Sequence, residues 1–99
     1  MNYAERVSQA QRLMILQALA EDDDYRVNDS MLHTWLHTMA LDLSMDRLRT
    51  QIRWLEEQAL VTVDQVGTML IATLTERGLD VSKGRARVDG IARPAPGSV

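Results

Sequence analysis

Between Ser44 and Ala59 the apolar residues Met45, Leu48, Ile52, Leu55 and Ala59 recur at spacings of 3, 4, 3 and 4, the period of one face of an α-helix. At about 100° per residue they form a single stripe. Asp46, Thr50, Arg53 and Glu57 project to the far side, Arg47 and Trp54 to one flank and Arg49 to the other. Directly afterwards the period changes. Leu60-Val61-Thr62-Val63 and Met69-Leu70-Ile71-Ala72-Thr73-Leu74 are apolar or β-branched runs, and between them lies Asp64-Gln65-Val66-Gly67-Thr68, where Gly67 tolerates a positive φ. A helix with a buried seam and an arginine-bearing face, running straight into a β-hairpin, admits few folds.

The rest of the chain supplies more helices around this unit. Residues 4 to 20 place Ala4, Val7, Ala10, Leu13, Met14, Leu16, Ala18 and Leu19 at helical spacing, with Ile15 beside them. This helix is expected to end near Glu21-Asp22-Asp23-Asp24, because aspartates are poor helix formers and sit badly against the negative end of a helix dipole. Tyr25-Arg26-Val27 reads as a short edge strand. Asn28 or Asp29 can cap a second helix over about residues 29 to 40 that buries Leu32, Trp35, Leu36 and Met39. Ser44 caps the third, and Thr75 can cap a short fourth through about Lys83, with Gly84 as its stop.

With 99 residues there is one modest core and no room for two. An apolar share of 45% and a charged share of 25% are those of a globular chain. The absence of cysteine excludes disulfides, thiolate metal sites and cysteine nucleophiles. No apolar run is long enough to span a bilayer and the first residues lack a leader pattern, so a cytoplasmic protein without membrane contact is expected. The net charge of −3 argues against a nucleic-acid coat protein but not against a locally basic surface. Its distribution is uneven, −4 over residues 1 to 43 and +1 over residues 44 to 99. Lys83, Arg85, Arg87 and Arg93 cluster ahead of Pro94, Pro96 and Gly97, so residues 1 to 83 are expected to form the domain and 84 to 99 an extended or partly disordered basic tail.

Three helices followed by a hairpin and a closing segment is the order of a winged helix-turn-helix domain, mainly α with a small β-hairpin wing. Ile52-Arg53-Trp54-Leu55-Glu56-Glu57-Gln58-Ala59-Leu60-Val61 resembles the end of the recognition helix in bacterial ArsR-like and MarR-like regulators. Leu74-Thr75-Glu76-Arg77-Gly78 is similar to the L-T-x-x-G turn that follows the second wing strand there. Across the whole chain the sequence resembles small winged-helix proteins of Mu-like phages and prophages. That resemblance rests on Ala10-Gln11-Arg12-Leu13-Met14-Ile15-Leu16, on Asp46-Arg47-Leu48-Arg49-Thr50 running into Trp54-Leu55-Glu56-Glu57-Gln58, and on Gly84-Arg85-Ala86-Arg87-Val88 with Arg93-Pro94. It implies a DNA-binding-like fold of phage origin and no particular activity. Many such sequences carry Gly where this one has Ala59; if the position requires left-handed geometry, Ala59 costs up to about 1 kcal/mol relative to Gly.

In a helix-turn-helix the exposed face of the second motif helix enters the major groove, where long side chains reach base edges. The candidates for contact with double-stranded DNA are Arg47, Arg49, Thr50, Gln51 and Arg53, with Lys83, Arg85 and Arg87 of the tail tracking phosphates. Residues 44 to 58 carry as many acids as bases, so the same arginines could instead be paired on a solvated face. The wing has no cation, which disfavours a phosphate grip there. One short recognition helix reads few base pairs, so a homodimer is expected, its interface on helix one or the closing segment. The rival reading is an interaction module, in which this fold binds another phage protein and not DNA. His33 and His37 share a helix face, but two ligands do not make a metal site. No nucleophile triad, phosphate loop or cofactor pattern appears, so neither enzymatic activity nor a cofactor is expected.

Overall fold

The computed structural model describes residues 1 to 96. The chain runs α1 (Tyr3–Glu21), β1 (Arg26–Asn28), α2 (Asp29–Thr38), α3 (Met45–Glu57), β2 (Val61–Val66), β3 (Met69–Leu74) and α4 (Glu76–Ser82). Every helix starts the same way. The side-chain oxygens of Asn2, Asn28, Ser44 and Thr75 accept from the backbone N–H three residues on, at Glu5, Met31, Arg47 and Gly78, satisfying donors that a helix N-terminus leaves free.

Three of the helices also end alike. Leu41 N–H bonds back to Leu36 O at 2.8 Å, Leu60 N–H to Leu55 O at 3.0 Å and Arg85 N–H to Asp80 O at 2.9 Å, each across a residue with positive φ: Ala40 (60°), Ala59 (60°) and Gly84 (78°). This is the six-to-one closure of a Schellman motif, which glycine adopts without strain and alanine does not. Gly84 stops α4 as its residue type predicts, and Ala59 does take the left-handed geometry that many similar sequences fill with Gly.

The three strands form one antiparallel sheet in the order β1-β3-β2. Val61 pairs with Leu74 and Val66 with Met69, so β2 extends to Val66 where the sequence reading stops it at Val63. The cause is the turn: only Gly67 and Thr68 lie between the strands, and Gly67 has φ of 61°, so a two-residue connection holds the strands paired to its edge. β1 is the expected edge strand, one residue later than predicted. Tyr25 at φ 57° turns the chain into it, and Asp22 Oδ2 accepts from the N–H groups of Asp24 and Arg26. The first aspartate of the acidic loop is thus a turn former.

The core is continuous from α1 (Ile15, Leu16, Leu19) through α2 (Leu32, Leu36) and the α3 seam (Leu48, Ile52, Leu55) to Leu60, Val61, Ala72, Leu74 and Val81. Met39, expected inside, is 42% exposed because α2 ends one residue before it and the chain then turns at Ala40. After α4 the segment from Gly84 has no regular structure through Pro96, yet it stays on the domain. Ile91 is buried in the core cluster, Ala92 N–H donates to Gln9 O at 3.2 Å, and Gly90 lies against the Trp54 ring.

Candidate nucleic-acid interface

The exposed face of α3 is built by its own periodicity and braced on both sides. Ser44 fixes where the helix begins, the seam fixes which side turns inward, and Asp46, Arg47, Thr50, Arg53 and Glu57 are left in solvent. On one flank lies the wing. Arg49 donates through Nε to Asp29 Oδ2 at 3.0 Å and through a terminal nitrogen to Thr68 O at 3.0 Å, while Arg53 donates to Glu56 Oε1 at 3.1 Å and to Gln65 Oε1 at 3.4 Å. Gln65 in turn donates to Gly67 O at 3.1 Å. The wing turn is therefore fastened to two successive turns of α3.

On the other flank stands Arg12 of α1. Its Nε donates to Gln51 Oε1 at 2.6 Å, a terminal nitrogen donates to Gly90 O at 2.9 Å, and its guanidinium carbon lies 4.1 Å from the centre of the Trp54 ring. Burial lowers the Arg12 pKa from its ordinary value, but a guanidinium so placed stays protonated. One side chain thereby joins α1, α3 and the segment after α4.

The predicted contact residues separate on this frame. Arg47 is exposed, and its guanidinium has no hydrogen-bond or ion-pair partner among the described residues. Thr50 is exposed and donates back to Asp46 O at 3.2 Å. Arg53 is exposed with one carboxylate partner, and Arg49 is half-buried and committed to Asp29. Gln51 is a correction: at 4% exposure it faces Arg12 and cannot reach a groove. The signal was present, since Gln51 stands three residues after Leu48 and four before Leu55 and so borders the seam. Arg85 pairs with Asp80 at 3.2 Å, and Arg87 is exposed without a partner among the described residues. Lys83 lies elsewhere, half-buried in a cleft with Trp35 and Met39 to which α3 contributes no lining residue. Nothing in the local sequence marks Arg12, whose partners are 39 and 78 residues away.

His33 and His37 staple the α2–α3 connection. His33 Nε2 is 2.8 Å from Leu43 O and His37 Nδ1 is 2.9 Å from Asp42 Oδ1. Among the described residues no group of three potential metal ligands converges, and no helix is long and apolar enough to cross a membrane.

A helix-turn-helix whose second helix presents an open face beside a braced β-hairpin defines a winged-helix protein, and the comparisons with known proteins agree. Over 72% of its length the chain superposes on AbsC, a MarR family transcriptional regulator from Streptomyces coelicolor, with a TM-score of 0.58 and 32% identity. It spans about half of AbsC, 47%. The chain belongs to the family of gp26 of Escherichia phage Mu, an uncharacterized protein with which it is 43% identical over 90 residues, 91% of this chain and 93% of gp26. An uncharacterized protein of Haemophilus influenzae is 36% identical over 83% of this chain and 80% of its own length. No family model matches.

Proposed function

We propose that this protein is a DNA-binding winged-helix protein of phage origin that lays the outer face of α3 in the major groove, acting as a transcriptional regulator or in another phage DNA transaction. The observation that carries the reading is the open row of Arg47, Thr50 and Arg53 over the buried Leu48, Ile52 and Leu55, with the wing locked alongside. Likeness to a transcriptional regulator supports it. Arg47 is the base-reading candidate because it has no internal partner; Arg53 must exchange Glu56 for DNA. Arg49 acts by holding the wing. Arg85 and Arg87 serve phosphates from the segment that packs beside Trp54 and adds Ile91 to the core of the domain formed by residues 1 to 83. The protein works in the bacterial cytoplasm, as a homodimer that doubles the sequence read, and catalyses nothing.

The test is binding to duplex DNA across a salt series. Affinity that falls steeply with salt, and falls further in Arg47→Ala, supports the reading, whereas no binding at low salt ends it. One observation favours the rival of a protein-binding module: the wing tip exposes Val66 at 61% and Met69 at 38% and carries no cation. In that reading the same tip docks on a partner phage protein, and DNA binding is absent at any salt.

A further inference from the structure

On α2 and its C-cap the residues Met31, Trp35 and Met39 recur at intervals of four and form a stripe that the other described residues cover only in part. Met31 is 60% and Met39 is 42% exposed, and Trp35 lies half-buried between them. The stripe is the floor of two adjoining concavities that share Ala18, Glu21 and Trp35. Met31 and Asp22 lie at one end, Met39 and Lys83 at the other. The indole N–H of Trp35 is buried there without an acceptor, alone in this among the buried side-chain polar atoms described.

A twofold interface must be complementary to itself: whatever lies at one end must suit what lies at the other. This face meets that condition. It has a large aromatic in the middle with Glu21 beside it, a methionine at each end, the Asp22 carboxylate at the Met31 end and the Lys83 ammonium at the Met39 end. An axis through Trp35 sets α2 antiparallel to its copy, Met31 against Met39 of the second molecule and Asp22 towards Lys83. The loop beyond Asp22 continues the acidic end with Asp23 and Asp24, offset only by Arg26.

We infer that the α2 stripe Met31-Trp35-Met39 is where a second copy of this chain docks, antiparallel and about a twofold axis at Trp35. This deepens the homodimer reading and rests on it. Neither α3 nor the wing lines the cleft, so the dimer leaves both recognition faces open.

The experiment is sedimentation equilibrium of the full chain without DNA, paired with amide and indole NMR spectra over a dilution series. The wild type dimerises, and the Trp35 indole signal moves with concentration while that of Trp54, held by Arg12 and Gly90, does not. Met31→Lys and Met39→Glu, both at exposed positions, keep the wild-type circular dichroism and weaken dimerisation at least about tenfold, because each sets a charge against the like-charged end of the partner. The double variant regains most of the loss, because in the antiparallel register the introduced opposite charges meet across the axis. A wild type that stays monomeric overturns both the homodimer and this interface. A dimer that neither single variant weakens, or that the double variant fails to restore, overturns the interface alone; DNA affinity is read separately.

Discussion

Asp29 and Arg49 join the two helices of the motif through a single buried oxygen. Asp29 is 1% exposed, and its Oδ2 accepts from Arg49 Nε at 3.0 Å and from the backbone N–H of Leu70 at 3.2 Å. The first residue of α2, the second turn of α3 and the core strand of the wing thus converge on one atom. The carboxylate also stands in the first turn of α2, where the helix dipole favours it. Asp29→Ala therefore removes more than an ion pair: it strands the Leu70 amide and leaves Arg49 with Thr68 O alone. The expected loss is about 2 to 4 kcal/mol in urea unfolding. Arg49→Ala should lose only about 1 kcal/mol, since its own side chain is 41% exposed and the carboxylate keeps Leu70 and the dipole. Equal losses would show that the pair acts as a simple salt bridge.

Arg12 works in the same way on the opposite flank. Arg12→Ala is expected to destabilise by about 2 kcal/mol, from the hydrogen bonds to Gln51 and Gly90 and the stacking on Trp54. Arg12→Lys should not recover this, because an ammonium has no planar fork to reach two acceptors while covering a ring. Hydrogen exchange gives the sharper reading. In either variant the amides of Ile91 and Ala92 should exchange faster, with α3 itself little changed.

Features legible in the sequence are those determined within a few residues. The α3 seam follows from five residues at spacings of three and four, the caps from Ser44 and Thr75, and the stop of α4 from Gly84. Gly78 belongs here too, although its reason appears only in three dimensions. Features that were not legible join distant segments. Gln51 borders the seam in the sequence, but the partner that holds it inward, Arg12, lies on another helix. Residues 84 to 92 looked detachable because their composition is basic and turn-rich, while Ile91 is anchored in a core assembled elsewhere. Trp35 and Met39 are expected in the core, since helical spacing alone cannot say whether a face is covered by the rest of the chain, and Met39 is 42% exposed.

Gly78 in the L-T-x-x-G turn packs where no side chain fits. A Cβ there would stand 2.1 Å from Leu60 O and 2.6 Å from Leu74 Cδ1. Leu60 O is also the acceptor for Thr75 N–H at 3.1 Å, and Thr75 Oγ1 donates to Ala59 O at 2.8 Å, so backbone at the junction cannot move aside without breaking the link between α3 and α4. Gly78→Ala is expected to destabilise by about 3 kcal/mol or more. A thermal midpoint within a degree or two of the wild type would contradict that packing.

Ala40 and Ala59 present the opposite case, positions where glycine should improve the protein. Both have φ of 60°, a conformation that costs an L-residue roughly 1 to 2 kcal/mol, partly offset by the greater freedom glycine loses on folding. Ala40→Gly and Ala59→Gly should each stabilise by about 0.5 to 1 kcal/mol. They close different helices through different partners, so the double variant should sum the two. Urea midpoints with unchanged slopes would establish this, and a loss in either variant would mean that the methyl group makes a contact outweighing the strain.

The wing offers a test of orientation on DNA that does not depend on removing anything. Gly67 and Thr68 form the turn, and Thr68 O is held by Arg49, so the tip has a fixed place relative to the face of α3. If α3 lies in a major groove, a hairpin fastened to its flank lies close to the adjoining phosphates. The natural tip brings no positive charge to them. Thr68→Lys keeps the turn, since Thr68 supplies only its backbone to Arg49 and its φ is not positive. One added phosphate contact should steepen the plot of log affinity against log salt by about 0.9 and tighten binding at low salt several-fold on any duplex sequence. Arg47→Ala should do the reverse at a preferred sequence, weakening it by about 1 to 3 kcal/mol and flattening discrimination at one base position. A Thr68→Lys protein whose affinity and salt slope match the wild type would place the wing away from the backbone and leave Val66 and Met69 free for a protein partner.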